Sequence, residues 1–128
     1  MQQPIVISGA GILGCYISCA LSLQGIDSIV LEKKDDEVED SVRTITLNPF
    51  SKNLLDKIGI ENDYSMINKM EVKDFDGTGK IVFKSREIGM DHLAYVSDFA
   101  TLLMAVRKKA SEKILYKEEI IDIDNKGD

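Results

Sequence analysis

Gly9-Ala10-Gly11-Ile12-Leu13-Gly14 is a G-x-G-x-x-G run, and its surroundings restrict the fold more than any other stretch of the chain. It directly follows Pro4-Ile5-Val6-Ile7-Ser8, an apolar run of the kind shown by a parallel strand covered on both faces. It opens a segment from Ile12 to Gln24 with no Pro and no Gly except Gly14, and Gly25 closes that segment as a C-terminal cap should. A second β-rich run, Ile26 to Leu31, ends at Glu32. Strand, helix and strand in this order predict a βαβ unit with a right-handed crossover.

In that setting each part of the run has a physical task. Gly9 lets the chain turn tightly, Gly11 lets the backbone approach a pyrophosphate, and Gly14 lets the helix pack close to the sheet. The first-turn amides around Leu13 have no helical acceptor, and the helix dipole adds roughly half a positive charge there. Glu32, at the end of the second strand, is placed to accept hydrogen bonds from a ribose diol, each charge-assisted bond contributing roughly 1.5–3 kcal/mol. An acid there repels a 2′-phosphate, which disfavours NADP as the ligand of this unit.

Further along, Asn48-Pro49 predicts a helix N-cap with proline at the first helical position; Leu54, Leu55 and Ile58 share one face and Gly59 stops the helix. Val72, Phe75, Ile81 and Phe83 flank the turn-rich Asp76-Gly77-Thr78-Gly79 and predict a β-hairpin. Ser97 or Asp98 then caps a helix whose Phe99, Leu102, Leu103, Val106 and Ala110 recur at helical spacing. Ile114-Leu115-Tyr116 reads as a third strand, and Ile120, Ile121 and Ile123 as the start of another, followed by a turn at Asn125-Lys126-Gly127-Asp128. The whole reads as the front portion of something larger.

Composition narrows the partners. The chain has 128 residues and a formal net charge of -6, the wrong sign for wrapping a nucleic-acid duplex. Six acids against two lysines lie between Glu32 and Asp40, in what reads as a solvated loop. Two cysteines are too few for a disulfide scaffold and suit a reducing cytoplasm. No charged side chain occurs from Met1 to Ile26, but the stretch lacks the positive start of a signal peptide and holds four glycines. A buried strand–turn–helix explains it without a membrane.

Gly9 to Lys33 (GAGILGCYISCALSLQGIDSIVLEK) resembles the FAD-binding opening of the class A flavoprotein aromatic hydroxylases, most closely those of ubiquinone biosynthesis. Val42-Arg43-Thr44-Ile45-Thr46-Leu47 with Ser51, Leu54 and Ile58-Gly59 is similar to the family's arginine-then-helix segment. Lys73-Asp74-Phe75-Asp76-Gly77 with Ile81-Val82-Phe83 resembles its β-hairpin, and Leu93-Ala94-Tyr95-Val96 the run before its next helix. The resemblance implies FAD as cofactor, held through Gly9, Gly11, Leu13, Gly14, Glu32, Lys33, Arg43 and Asp98. Glu32 would meet the adenosine ribose and Arg43 the flavin diphosphate and ribityl chain. Asp98 stands where the family places a polar FAD contact, with Ser97 the alternative after a one-residue shift. The family chemistry is NAD(P)H-dependent reduction of FAD and oxygen-dependent hydroxylation of a phenolic ring. A prenylated substrate would add peripheral contact with a membrane.

The expectation is therefore an α/β, Rossmann-like FAD/NAD(P)-binding fold of three layers, incomplete, with a β-hairpin insertion. Residues 1–128 would form the N-terminal portion of an FAD-binding domain, with the later FAD motifs and the substrate domain absent. No catalytic residue is assigned, and the chain by itself is expected not to turn over. Two rivals stand beside this reading. One is a non-catalytic nucleotide-binding remnant that self-associates through an unpaired sheet edge. The other is an NAD-dependent oxidoreductase half-domain, disfavoured because nothing after Glu32 looks like a second mononucleotide half. His92, the only histidine, reads as a loop residue, and no metal site is expected. Cys15 and Cys19 read as small packing residues, although a thiol so near a helix N-terminus invites a lowered pKa. Arg107, Lys108, Lys109 and Lys113 read as a solvated helix end suited to the dipole.

Overall fold

A computed structural model describes residues 2–126. In chain order the elements are β1 (Ile5–Ser8), α1 (Ile12–Leu23), β2 (Ser28–Glu32), β3 (Thr44–Leu47), α2 (Pro49–Lys57) and β4 (Ser65–Ile67). They continue with β5 (Lys69–Lys73), β6 (Lys80–Lys84), β7 (Ala94–Asp98), α3 (Phe99–Lys109) and β8 (Ile114–Tyr116). The chain divides into two units: residues to Ser41 together with those from Ala100 onward, and Val42–Phe99.

The first unit is built on a parallel sheet in the order β1-β2-β8. Val6 lies opposite Ile29, and Val30 opposite Ile114, so β2 is the central strand. Its Val30, together with Cys15 of α1 and Leu102 and Val106 of α3, is wholly buried. These side chains form the core that holds both helices. Inside it, the hydroxyls of Ser18 on α1 and Ser28 on β2 meet at 2.8 Å, and both residues are fully buried. Each satisfies the other, which is what makes two buried polar groups tolerable there. Gly25, at φ +72, ends α1 as its sequence position predicts.

Two expectations for this unit are overturned. Among the described residues β1 has a neighbour on one side only, and its Ile5 and Val6 are exposed rather than covered on both faces. Ile120, Ile121 and Ile123 form no strand; the chain turns at Lys117, where φ is +59, and Ile121 and Ile123 are exposed. The amides of Lys117 and Glu118 donate to the Lys34 and Glu32 carbonyls instead. Among the described residues no strand lies beside Ile120–Ile123, and strand propensity without a neighbour's ladder does not make a strand. The expected closing turn includes Gly127 and Asp128, which lie outside the described residues.

The second unit holds an antiparallel sheet in the order β3-β7-β4 and the separate ribbon β5-β6. The ribbon is the hairpin predicted around Asp76–Gly79, with Met70 opposite Phe83 and Val72 opposite Ile81. Phe75 is not part of its apolar face: it projects from the turn, fully exposed. α2 begins as predicted, with the Asn48 side chain accepting from the Ser51 amide at 2.7 Å and Pro49 at the first helical position. Leu55 and Ile58 are buried beneath it. No helix among the described residues is long and apolar enough to cross a membrane; the uncharged opening is β1 and α1.

Candidate functional site

The loop between β1 and α1 assigns its three glycines three different reasons. Gly9 sits at φ +100, a conformation that side chains rarely adopt, and its amide donates to the Leu31 carbonyl at 2.7 Å. Gly14 is required by packing: a Cβ there would collide with the Gly9 carbonyl oxygen, which is backbone. Gly11 is required by neither. Its backbone (φ -76, ψ 179) suits any residue, and a Cβ would meet no protein atom within 4 Å. The surface over Gly11 is open backbone that the fold itself does not need to be glycine.

Gly11 is also the N-cap of α1 and has no side chain with which to cap it. The first helical bond joins the Cys15 amide to the Gly11 carbonyl at 3.0 Å. The amides of Ile12, Leu13 and Gly14 therefore precede the helical ladder. No acidic residue lies in that first turn, and the Leu13 side chain is exposed. The end of α1 is thus electropositive and open, suited to an anion.

Glu32, the last residue of β2, is 13% exposed at its side chain and faces this loop. Its Oε2 accepts from the Ala10 amide at 2.9 Å and its Oε1 from the Lys34 amide at 3.1 Å. Burial is the largest single influence on its ionisation and opposes it. The Ala10 and Lys34 amides and the Arg107 and Lys34 charges together outweigh burial and hold the carboxyl below the ordinary glutamate value of 4.5. A carboxylate has about four lone-pair directions, so with one amide on each oxygen about two remain for a diol.

The residue that sequence reasoning missed is Arg107. It is no solvated helix end: its side chain is 13% exposed, its Nε donates to the Ala10 carbonyl at 2.8 Å, and its Nη2 lies 3.8 Å from Glu32 Oε2. Its Cζ stands 5.7 Å from the Tyr116 ring centroid. Arg107 is four residues after the buried Leu103 and three before the buried Ala110. That spacing places it on the rim of the apolar stripe, which was the available signal. Lys113 is not a free cation either, since it pairs with Asp27 at 2.6 Å.

Lys33 is exposed just beyond β2. Arg43 and Asp98 belong to the second unit, at one end of the β3-β7 ladder, where Thr44 lies opposite Asp98. The Arg43 guanidinium stacks 4.2 Å from the Phe99 ring centroid, and its carbonyl accepts from the Phe99 amide at 3.0 Å. Asp98 immediately precedes α3. Ser97 does not cap that helix: its buried hydroxyl donates to the Asp98 carbonyl at 2.9 Å and accepts from Asn62 at 2.8 Å. An open cleft of about 460 Å³ in the same unit, lined by Lys52, Asp56 and Tyr64 among others, includes none of the predicted residues.

The remaining candidates are structural. Burial pushes the Cys15 thiol up to about 11, more than the nearby Arg107 charge lowers it, so the helix N-terminus does not activate it. His92 Nδ1 lies 2.6 Å from Asn68 Oδ1 and its ring packs edge-on against Tyr95. Among the described residues no cluster of ligating side chains is arranged to hold a metal ion.

Residues 2–119 match the family described as FAD binding domain. The chain belongs to that family. The mitochondrial ubiquinone biosynthesis monooxygenase COQ6 of Danio rerio is 26% identical to this FAD binding domain over 91% of the chain and 28% of that protein. Among solved structures, p-nitrophenol 4-monooxygenase PnpA from Pseudomonas putida superposes with a TM-score of 0.73 at 17% identity, over 95% of this chain and 33% of that one. Klebsiella pneumoniae HpxO, complexed with FAD and uric acid, gives 0.67 at 20% identity, over 94% and 33%. The chain thus spans about a third or less of the proteins it matches. These likenesses share the α/β fold expected from the sequence, and FAD is the cofactor of the family. The residues present fit it: bare backbone at Gly11, an uncapped helix end beside it, and an ionised carboxylate with acceptor directions to spare.

Proposed function

We propose that the β1–α1 loop and Glu32 hold the ADP half of FAD, and that the chain is the FAD-binding front portion of a flavin-dependent monooxygenase acting on a phenolic ring. The observation that carries the reading is Gly11, a glycine with no conformational or packing need to be one, at the open end of α1. The amides of Ile12 and Leu13, beside the open backbone at Gly11, would hold the pyrophosphate. The ribose diol donates to Glu32, whose ionised state strengthens those bonds. Lys33 sits at the same adenosine end. Arg43, oriented by Phe99, offsets diphosphate charge, and Asp98 supplies a further polar contact.

FAD, when bound, would supply the redox chemistry of the family, in which two electrons from NAD(P)H and one molecule of dioxygen hydroxylate the ring and the second oxygen atom leaves as water. The chain's own residues bind, orient and exclude water. Ubiquinone biosynthesis is the finest form of this proposal, supported by the name of the Danio relative. The 128-residue chain is assigned cofactor binding, and turnover is assigned to the larger proteins whose length it partly covers. The test is a visible spectrum of the purified chain after adding FAD and desalting. Retained flavin bands support the reading, and an NADH oxidation assay follows. A colourless protein that also fails to bind ADP overturns it.

A further inference from the structure

Ala10 lies between the first two glycines of the loop and is fully buried. Both sides of its backbone are gripped by side chains. Its amide donates to Glu32 Oε2 at 2.9 Å, and its carbonyl accepts from Arg107 Nε at 2.8 Å. The circuit closes where Arg107 Nη2 stands 3.8 Å from Glu32 Oε2. In a planar trans peptide the carbonyl and the following N–H point opposite ways. Fixing the Ala10 carbonyl on Arg107 therefore turns the Gly11 N–H away from the arginine. Gly11 is the position where a Cβ would meet open space.

We propose that Arg107 is a positioning residue of the nucleotide site, aiming the Gly11 amide and the Glu32 carboxylate at the ligand without touching it. The inference rests on the functional reading above. Guanidinium geometry suits the task, because one planar group donates in two directions at once and a lysine ammonium reaches only as a point charge. The Tyr116 ring and the limited exposure of both side chains hold the circuit in place. The circuit also accounts for part of the ease with which Glu32 ionises, to which Arg107 contributes after the two amides. The other titratable or charged groups facing Glu32 are Lys34, Cys15 and Tyr116.

The experiment compares wild type, Arg107→Met and Arg107→Lys in the full 128-residue chain. ADP affinity is measured by calorimetry, and the Glu32 carboxyl is titrated by carbon NMR without ligand. Arg107→Met is expected to weaken ADP by about twentyfold, the middle of the range for coupled neighbours. The Glu32 midpoint should move upward. Arg107→Lys keeps charge and stem and serves if Arg107→Met does not fold; it should restore the Glu32 midpoint in part and still bind ADP more weakly than wild type. A purely structural arginine would lower thermal stability and leave the Glu32 titration in place. ADP affinity within twofold of wild type in a folded variant, or an unmoved Glu32 midpoint, overturns the proposal while leaving the functional reading intact. A wild-type chain that binds no ADP overturns both.

Discussion

The two glycines Gly11 and Gly14 differ by three positions and should respond to the same substitution in opposite ways. Gly14→Ala drives a methyl group into the Gly9 carbonyl, which is backbone and cannot swing aside. Overpacking of this kind costs roughly 1–3 kcal/mol. For a chain of this size 1 kcal/mol corresponds to about 3–5 °C, so the middle of that range lowers Tm by about 6–10 °C. Gly11→Ala meets no atom and needs no backbone change. Restricting the unfolded chain stabilises by roughly 0.4–1 kcal/mol. Replacing glycine by alanine at an N-cap costs a comparable amount, because alanine is a poorer cap. The two effects offset, and Tm should stay within about 4 °C of wild type. Ligand affinity is another matter. A methyl over the loop separates a phosphate from amides whose charge-assisted bonds contribute roughly 1.5–3 kcal/mol each, so two lost bonds weaken ADP by upwards of a hundredfold. Thermal unfolding followed by circular dichroism and ADP titration calorimetry read the two quantities separately. Gly11→Ala binding ADP like wild type would refute the phosphate cradle, and an unchanged Tm for Gly14→Ala would refute the packing argument.

Glu32→Ala should weaken ADP by roughly 1.5–3 kcal/mol in the same calorimeter. It should also lower Tm, because the Ala10 and Lys34 amides lose their acceptor. Since the folded carboxyl titrates below 4.5, its contribution to stability is full at neutral pH and is lost as pH falls from 4.5 through the depressed value. Glu32→Gln should flatten that acid limb of a Tm-versus-pH curve, and an unaltered slope would show that Glu32 is not responsible for it. Cys15, fully buried and with its thiol pushed up to about 11, should not react with a thiol reagent at pH 8 until the chain unfolds; rapid labelling of the native protein would contradict its burial. Asn48→Ala removes the acceptor for the Ser51 amide and should cost roughly 1 kcal/mol in thermal or urea unfolding.

The parts of the fold written in local pattern were legible. The β1–α1–β2 unit, the Asn48-Pro49 helix start, the hairpin and the strand at Ile114 all follow from residues adjacent in sequence. What escaped was non-local. The antiparallel sheet β3-β7-β4 is made of short segments such as Ser65–Ile67, whose pairing depends on partners far along the chain. Ile120–Ile123 had the composition of a strand and lacked a neighbour among the described residues. The site divides the same way. The glycines and Glu32 were identifiable from their order and spacing, and the structure brings Gly9, Gly14 and Glu32 around one loop. Arg107 was hidden because a basic run at a helix end is ordinarily solvated; its spacing from Leu103 and Ala110 hinted at the rim of the core, and its contacts with Ala10, Glu32 and Tyr116 come from distant parts of the chain.

The order of the strands has a consequence for synthesis. β2 finds one neighbour in β1, made just before it, and the other in β8, made only after the whole of Val42–Phe99 has emerged. Pairing strands so far apart in the chain is slow, because the intervening loop must be closed before any contact rewards it. A growing chain with only its glycine loop and Glu32 exposed would therefore carry the recognisable motif without the Arg107 circuit and without a covered core. Cofactor capture during translation should begin only once Tyr116 has cleared the ribosome, and arrested chains cut before α3 should not retain nucleotide however intact their glycine signature.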